Sequence, residues 1–118
     1  MLVGDADLCA SVYAPDAVIV PPDGRARCGV DEIRDYWQHV IDWGGRGDSV
    51  TCESLEVRDR FVVEQGVYAR FSHPVALGPA LARGTYLLIA EPQKDGAWAW
   101  VADVWTDSLA RLDSSTRR

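Results

Sequence analysis

The segment GAWAWVADVWTD, Gly96 to Asp107, limits the possible folds more than any other part of the chain. Its residues alternate as in a strand, yet neither side is polar: Trp98, Trp100, Ala102 and Val104 fall on one side, Asp103 and Trp105 on the other. Such a strand needs cover on both faces, so it belongs within a layered domain. The preceding QKDG contains Asp95-Gly96, a strong signal for a tight hairpin turn, and joins the segment to ARGTYLLIAEP. With Asp95 and Gly96 as the central turn residues, Lys94 opposes Ala97, Leu88 opposes Asp103 and Tyr86 opposes Trp105. Asp103, Trp105, Tyr86 and Gly84 are then expected on one face. Trp98, Trp100, Ala102 and Val104 are expected on the other, beside Leu87 and Ile89.

The rest of the chain supplies the covering layer. DADLCASVYA, Asp5 to Ala14, begins with N-cap residues and reads as a short helix ahead of Pro15. DAVIVPP is a brief β-branched strand, and DGRARCG a turn with a short return strand. DEIRDYWQHVIDWGG, with Asp31 as the expected N-cap, places Ile33, Tyr36, Trp37, Val40 and Ile41 on one face of an amphipathic helix closed by glycines. Four strand-like runs follow: SVTCESLEVRDR, FVVEQGVYARF, ARGTYLLIAEP and AWAWVADVWTD. Helices followed by a strand meander predict an α+β domain in which a curved antiparallel sheet wraps around helices. One domain over 1–108 is expected, with 109–118 as a frayed tail.

Charge and composition exclude several function classes. A net charge of −6 and a single lysine, Lys94, argue against a nucleic-acid footprint, which needs clustered cations. Cys9, Cys28 and Cys52 are far apart and only two histidines accompany them, so no zinc site, other metal site or disulfide framework is indicated, and no cofactor is expected. No apolar run approaches membrane-spanning length and the start MLVGDADLC lacks the pattern of a signal peptide, so no membrane partner and a cytoplasmic location are expected.

GDADLCASVYAPDAVIVPPDG, GVDEIRDYW, GVYARF, GTYLLI and DGAWAWVADVWTDS, in that order over Gly4 to Ser108, resemble the NTF2-like superfamily, particularly its SnoaL-like and DUF4440 branches. The resemblance implies a cone whose concave sheet face and helices enclose an apolar pocket for a small hydrophobic ligand, polyketide- or steroid-like. The ending ADVW is similar to the last strand of ketosteroid isomerases, which implies that Trp105 and Asp103 face the pocket. Trp98 and Trp100 would then lie on the convex face, as a homodimer contact. Two departures accompany the match. Pro21 holds the place of the isomerase base, and the long helix that precedes GDAD in such proteins corresponds here to Met1, Leu2 and Val3, so one pocket wall is expected to be open or supplied otherwise.

A carboxyl in an apolar pocket has its charged form disfavoured by desolvation, which suits proton transfer. Asp103 is therefore the first candidate acid or base, for a cofactor-free isomerase, cyclase, or hydratase/dehydratase; the alternatives are a structural Asp103 held by donors, and a noncatalytic module whose cone is filled. Tyr13, Tyr68 and Tyr86 are candidate donors to a developing enolate or alkoxide. Trp37, Tyr68, Tyr86 and Trp105 are expected to shape the ligand site. His73, in the proline-punctuated loop FSHPVALGPA, is a second candidate proton carrier at the pocket mouth, or else a surface imidazole. His39 and Asp16 are read as a solvent-facing helix residue and a turn residue.

Overall fold

The computed structural model describes residues 4–73 and 78–107, so the expectation for 109–118 lies outside the described residues. The described chain forms α1 (Ala6–Ala10), β1 (Tyr13–Val20), β2 (Arg27–Cys28), α2 (Val30–Asp42), β3 (Gly47–Arg58), β4 (Phe61–Phe71), β5 (Ala82–Pro92) and β6 (Trp98–Trp105). The strands make one curved, unclosed sheet in the order β2-β1-β6-β5-β4-β3. Its hairpin neighbours are antiparallel, but β1 runs parallel to β6, so the sheet is mixed where a wholly antiparallel one was expected. A parallel pair needs a long crossover, and here everything from β2 to β5 intervenes.

The first helix is shorter than its sequence suggests. Asp5 caps it by accepting from the Leu8 N–H at 3.1 Å, but Ser11 closes it, and Tyr13 and Ala14 belong to β1. Pairing with β6 overrides the local helical pattern: the Trp100 N–H donates to the Val12 carbonyl at 2.9 Å and Tyr13 lies opposite Trp100. A register shift between Tyr13 and Val18 accommodates Pro15 inside the strand, and Asp16, expected at a turn, sits there exposed. The second helix starts at Gly29 rather than at Asp31. Gly29 takes φ 86°, a conformation that favours glycine, while its N–H donates to Ala17 and Glu32 reaches back to accept from the Cys28 N–H. Ile33, Trp37 and Ile41 are buried at the expected one-turn spacing.

The final hairpin reaches the expected pairing by an unexpected route. Gln93 closes a turn with Gly96 at φ 86° and its N–H donates to Ala97, which makes a three-residue loop and pairs Ala90 with Trp100. That register would have put Leu88 opposite Ala102. One extra residue of β6, Val101, is bulged out between the Ala90–Trp100 and Ile89–Ala102 pairs, which restores Leu88–Asp103 and Tyr86–Trp105. The bulge also corrects the expected two-sided split. Trp100 now shares the concave side with Asp103 and Trp105, packs edge-on against Tyr13 at 5.4 Å and is only partly exposed, so it is not a convex contact residue. Trp98 shares the side of Trp100 by strand alternation and stays 55% exposed.

Candidate functional site

Strand pairing sets inward-facing residues in rows across the concave face. One row runs Asp103, Leu88, Glu64; the next runs Trp105, Tyr86, Gly66; further along, Tyr68 lies beside Val50 and Arg70 beside Asp48. Helix α2 and the start of β1 contribute Trp37 and Tyr13, and together these residues, Gly66 apart, line a cavity of about 350 Å³ that also reaches Cys9, Val12 and Trp100.

Asp103 is 7% exposed, and the Tyr13 hydroxyl donates to its Oδ2 at 2.8 Å. Burial raises the Asp103 carboxyl from 3.8 to about 6, against the lowering effects of the Tyr13 hydrogen bond and the Arg70 charge and with a further push from the Glu64 charge. Tyr13 is itself held well above the ordinary phenol range, first by burial and then by the Asp103 charge. The Trp37 indole N–H lies near enough to the Tyr13 oxygen to offset part of that rise, though outside hydrogen-bonding geometry. Trp37 stacks on Trp105 at 5.5 Å and 13°, and Tyr36 meets both rings edge-on, so the cavity floor is a braced aromatic cluster.

A second tyrosine–carboxylate pair sits two strands away. The Tyr86 hydroxyl donates to Glu64 Oε2, and burial followed by that bond pushes the Tyr86 phenol far up. Gly66 makes this possible. A Cβ there would stand 2.1 Å from the Thr51 carbonyl oxygen and 2.8 Å from the Tyr86 hydroxyl, so only glycine lets β3 and the Tyr86 ring approach this closely. Arg70 supplies the cation of the cavity wall. Its Nε donates to Asp48 Oδ1 at 3.1 Å, and its guanidinium lies 5.2 Å from the Trp37 ring and 5.6 Å from the Tyr68 ring. Burial lifts the Asp48 carboxyl despite that neighbour. Tyr68 donates to the Thr106 carbonyl at 3.0 Å, and burial pushes its phenol up to about 12.

Of the residues expected at the site, Asp103, Tyr13, Trp37, Tyr68, Tyr86 and Trp105 all line the cavity. His73 does not: β4 ends at Phe71, so His73 lies beyond the last inward-facing strand position and is exposed. His39 is exposed and meets Trp43 edge-on. Asp23 turns to solvent, bound to Arg27 at 2.8 Å. Glu64 and Arg70 escaped the sequence reading although they alternate with Gly66 and Tyr68 in VEQGVYARF; the period-two pattern of a strand was the signal that could have found them. Among the described residues no group of three or more His, Cys, Asp or Glu side chains could hold a metal ion, and no helix is long and apolar enough to cross a membrane.

No protein-family model and no curated sequence matches the chain. Solved structures do. A domain of unknown function with a cystatin-like fold from Nostoc punctiforme superposes with a TM-score of 0.75 at 15% identity, covering 98% of this chain and 75% of that one. A ketosteroid isomerase-like protein from Erwinia carotovora atroseptica gives a TM-score of 0.71 at 15% identity, covering 88% of this chain and 82% of its own. An NTF2-like protein from Novosphingobium aromaticivorans gives 0.68 at 11% identity, with coverages of 88% and 70%. The chain has the NTF2-like fold. At these identities the likeness is one of fold, and the chemistry of an NTF2-like cone must be argued from the residues that line it.

Proposed function

We propose that the cone binds a small, largely apolar organic molecule and performs cofactor-free acid/base chemistry on it, with Asp103 moving the proton. The observation that carries this reading is a buried carboxylate, fixed by one phenol, in the wall of a largely aromatic and aliphatic cavity of about 350 Å³. Tyr13 engages Oδ2, which leaves Oδ1 available to a substrate C–H or O–H. A carboxyl raised to about 6 is ionised enough near neutrality to accept a proton and basic enough to do so usefully. Once protonated it can return the proton, or donate beside a tyrosine to a developing enolate or alkoxide. Proton removal next to a carbonyl, addition or loss of water, and ring closure fall within its reach, on a polyketide- or steroid-like skeleton. The isomerase-like arrangement through the Pro21 position is not part of this mechanism, since proline offers no proton acceptor there.

The competing reading, a noncatalytic module with a filled cone, is disfavoured by the size of the cavity. A homodimer is also proposed, through the convex face. With Trp100 inside, that contact rests on Val18, Leu87 and Val104, which are 36%, 45% and 40% exposed on the outward side of β1, β5 and β6. Sedimentation at micromolar concentration should give the mass of two chains. The catalytic test is Asp103→Asn on a substrate found by screening ketone, enone and hydroxy-ketone compounds: turnover should fall at least a hundredfold with little change in KM. Equal turnover would remove Asp103 from the mechanism.

A further inference from the structure

The charges of the cavity do not balance. Its cation, Arg70, is already matched by Asp48 and covered by the Trp37 and Tyr68 rings. Asp103 and Glu64 face the same space from β6 and β4 across Leu88, and neither forms an ion pair among the described residues. At Asp103 the Arg70 charge outweighs that of Glu64, so the excess rests on the lining itself: Asp48, Glu64 and Asp103 face one cation, Arg70. The surplus is therefore negative, in a site whose other walls are aromatic or aliphatic. An anion would meet repulsion there, whereas a cation would relieve it and find ring faces for its apolar substituents.

We propose that the cavity selects a lipophilic amine, seating its ammonium against Glu64 and its apolar body on the aromatic wall beside Asp103. Resting on the small-molecule reading above, this names the substrate class of the same site. Glu64 suits the anchoring role because Tyr86 holds Oε2 and leaves Oε1 for an ammonium N–H. It is less buried than Asp103, and its β3 neighbour Leu55 is 55% exposed. Asp103, deeper and tied to Tyr13, stays beside the carbon skeleton, where proton transfer requires it.

Three ligands of one shape decide the matter: adamantan-1-amine, adamantan-1-ol and adamantane-1-carboxylate, titrated at pH 8 against the wild-type protein and Glu64→Gln, with calorimetry and tryptophan fluorescence as readouts. The amine should bind at least tenfold more tightly than the alcohol, with the carboxylate weakest. Glu64→Gln should erase the preference for the amine, lowering amine affinity at least tenfold more than alcohol affinity, while the amide oxygen can still accept from Tyr86. Equal amine and alcohol affinities, a preference for the carboxylate, or an amine preference that survives Glu64→Gln would overturn the assignment while leaving the cavity reading intact. Failure of all three ligands to bind would instead remove the cavity reading, and the amine with it.

Discussion

Replacing Asp103 with asparagine should make the protein more stable at alkaline pH and should flatten part of its stability profile. In the folded protein the carboxyl rises from 3.8 to about 6, chiefly through burial, so the native state holds its proton more tightly than the unfolded chain. A raised pKa contributes stability that is fully present below the unfolded value and is lost as pH climbs through the folded one. At about 1.4 kcal/mol per pH unit, the two-unit interval corresponds to roughly 3 kcal/mol that the ionised Asp103 costs the fold at pH 8. Lowering the pH from 8 to 5 recovers about 1.4 kcal/mol of this, because only the last unit lies below the folded pKa. Asparagine has nearly the same shape, keeps an oxygen for the Tyr13 hydroxyl and cannot ionise. Urea unfolding of both proteins at pH 8 and pH 5 is the assay, with unchanged m-values as the control for two-state behaviour. The advantage of Asp103→Asn over wild type should shrink by about 1.4 kcal/mol between the two pH values. An advantage that grows toward pH 5, or an asparagine protein less stable than wild type at pH 8, would refute the desolvation argument and make Asp103 a structural carboxylate stabilised in its charged form.

Two further outcomes follow from the same site. Tyr13→Phe removes the hydrogen bond that favours ionised Asp103, so the carboxyl should titrate above about 6 by carbon-detected NMR, and an unchanged or lower value would show that the phenol does not stabilise the carboxylate. Gly66→Ala should cost about 3 kcal/mol or more in denaturant unfolding, since its methyl group would press on the Thr51 backbone oxygen at 2.1 Å; a near-neutral result would mean that β3 and β4 separate there at little cost.

Much of this arrangement was legible in the sequence. The strands FVVEQGVYARF and ARGTYLLIAEP coincide with β4 and β5, and α2 differs from its expected span only at its ends. The expectation that Asp103 and Trp105 share a face holds because alternation along a strand fixes sides without knowledge of the partner; Tyr86 joins them only because the Val101 bulge offsets the extra loop residue and restores its pairing with Trp105. The error at Trp100 has a local cause. A single extra residue at Val101 inverts the alternation of everything before it, and nothing in AWAWVADVW marks which residue will be left unpaired.

The sequence by itself determined the order of helices and strands and put Asp103 and Trp105 on one side of the last strand, since propensity and periodicity act over a few neighbouring residues. Only the tertiary structure decided which strands distant in sequence became neighbours. Tyr13 meets Asp103 across 90 positions of chain because β1 pairs with β6, and Arg70 meets Asp48 because β3 and β4 pair in one register. Those choices follow from burying the whole concave face at once, a free energy that belongs to the assembled sheet and to no local stretch of it.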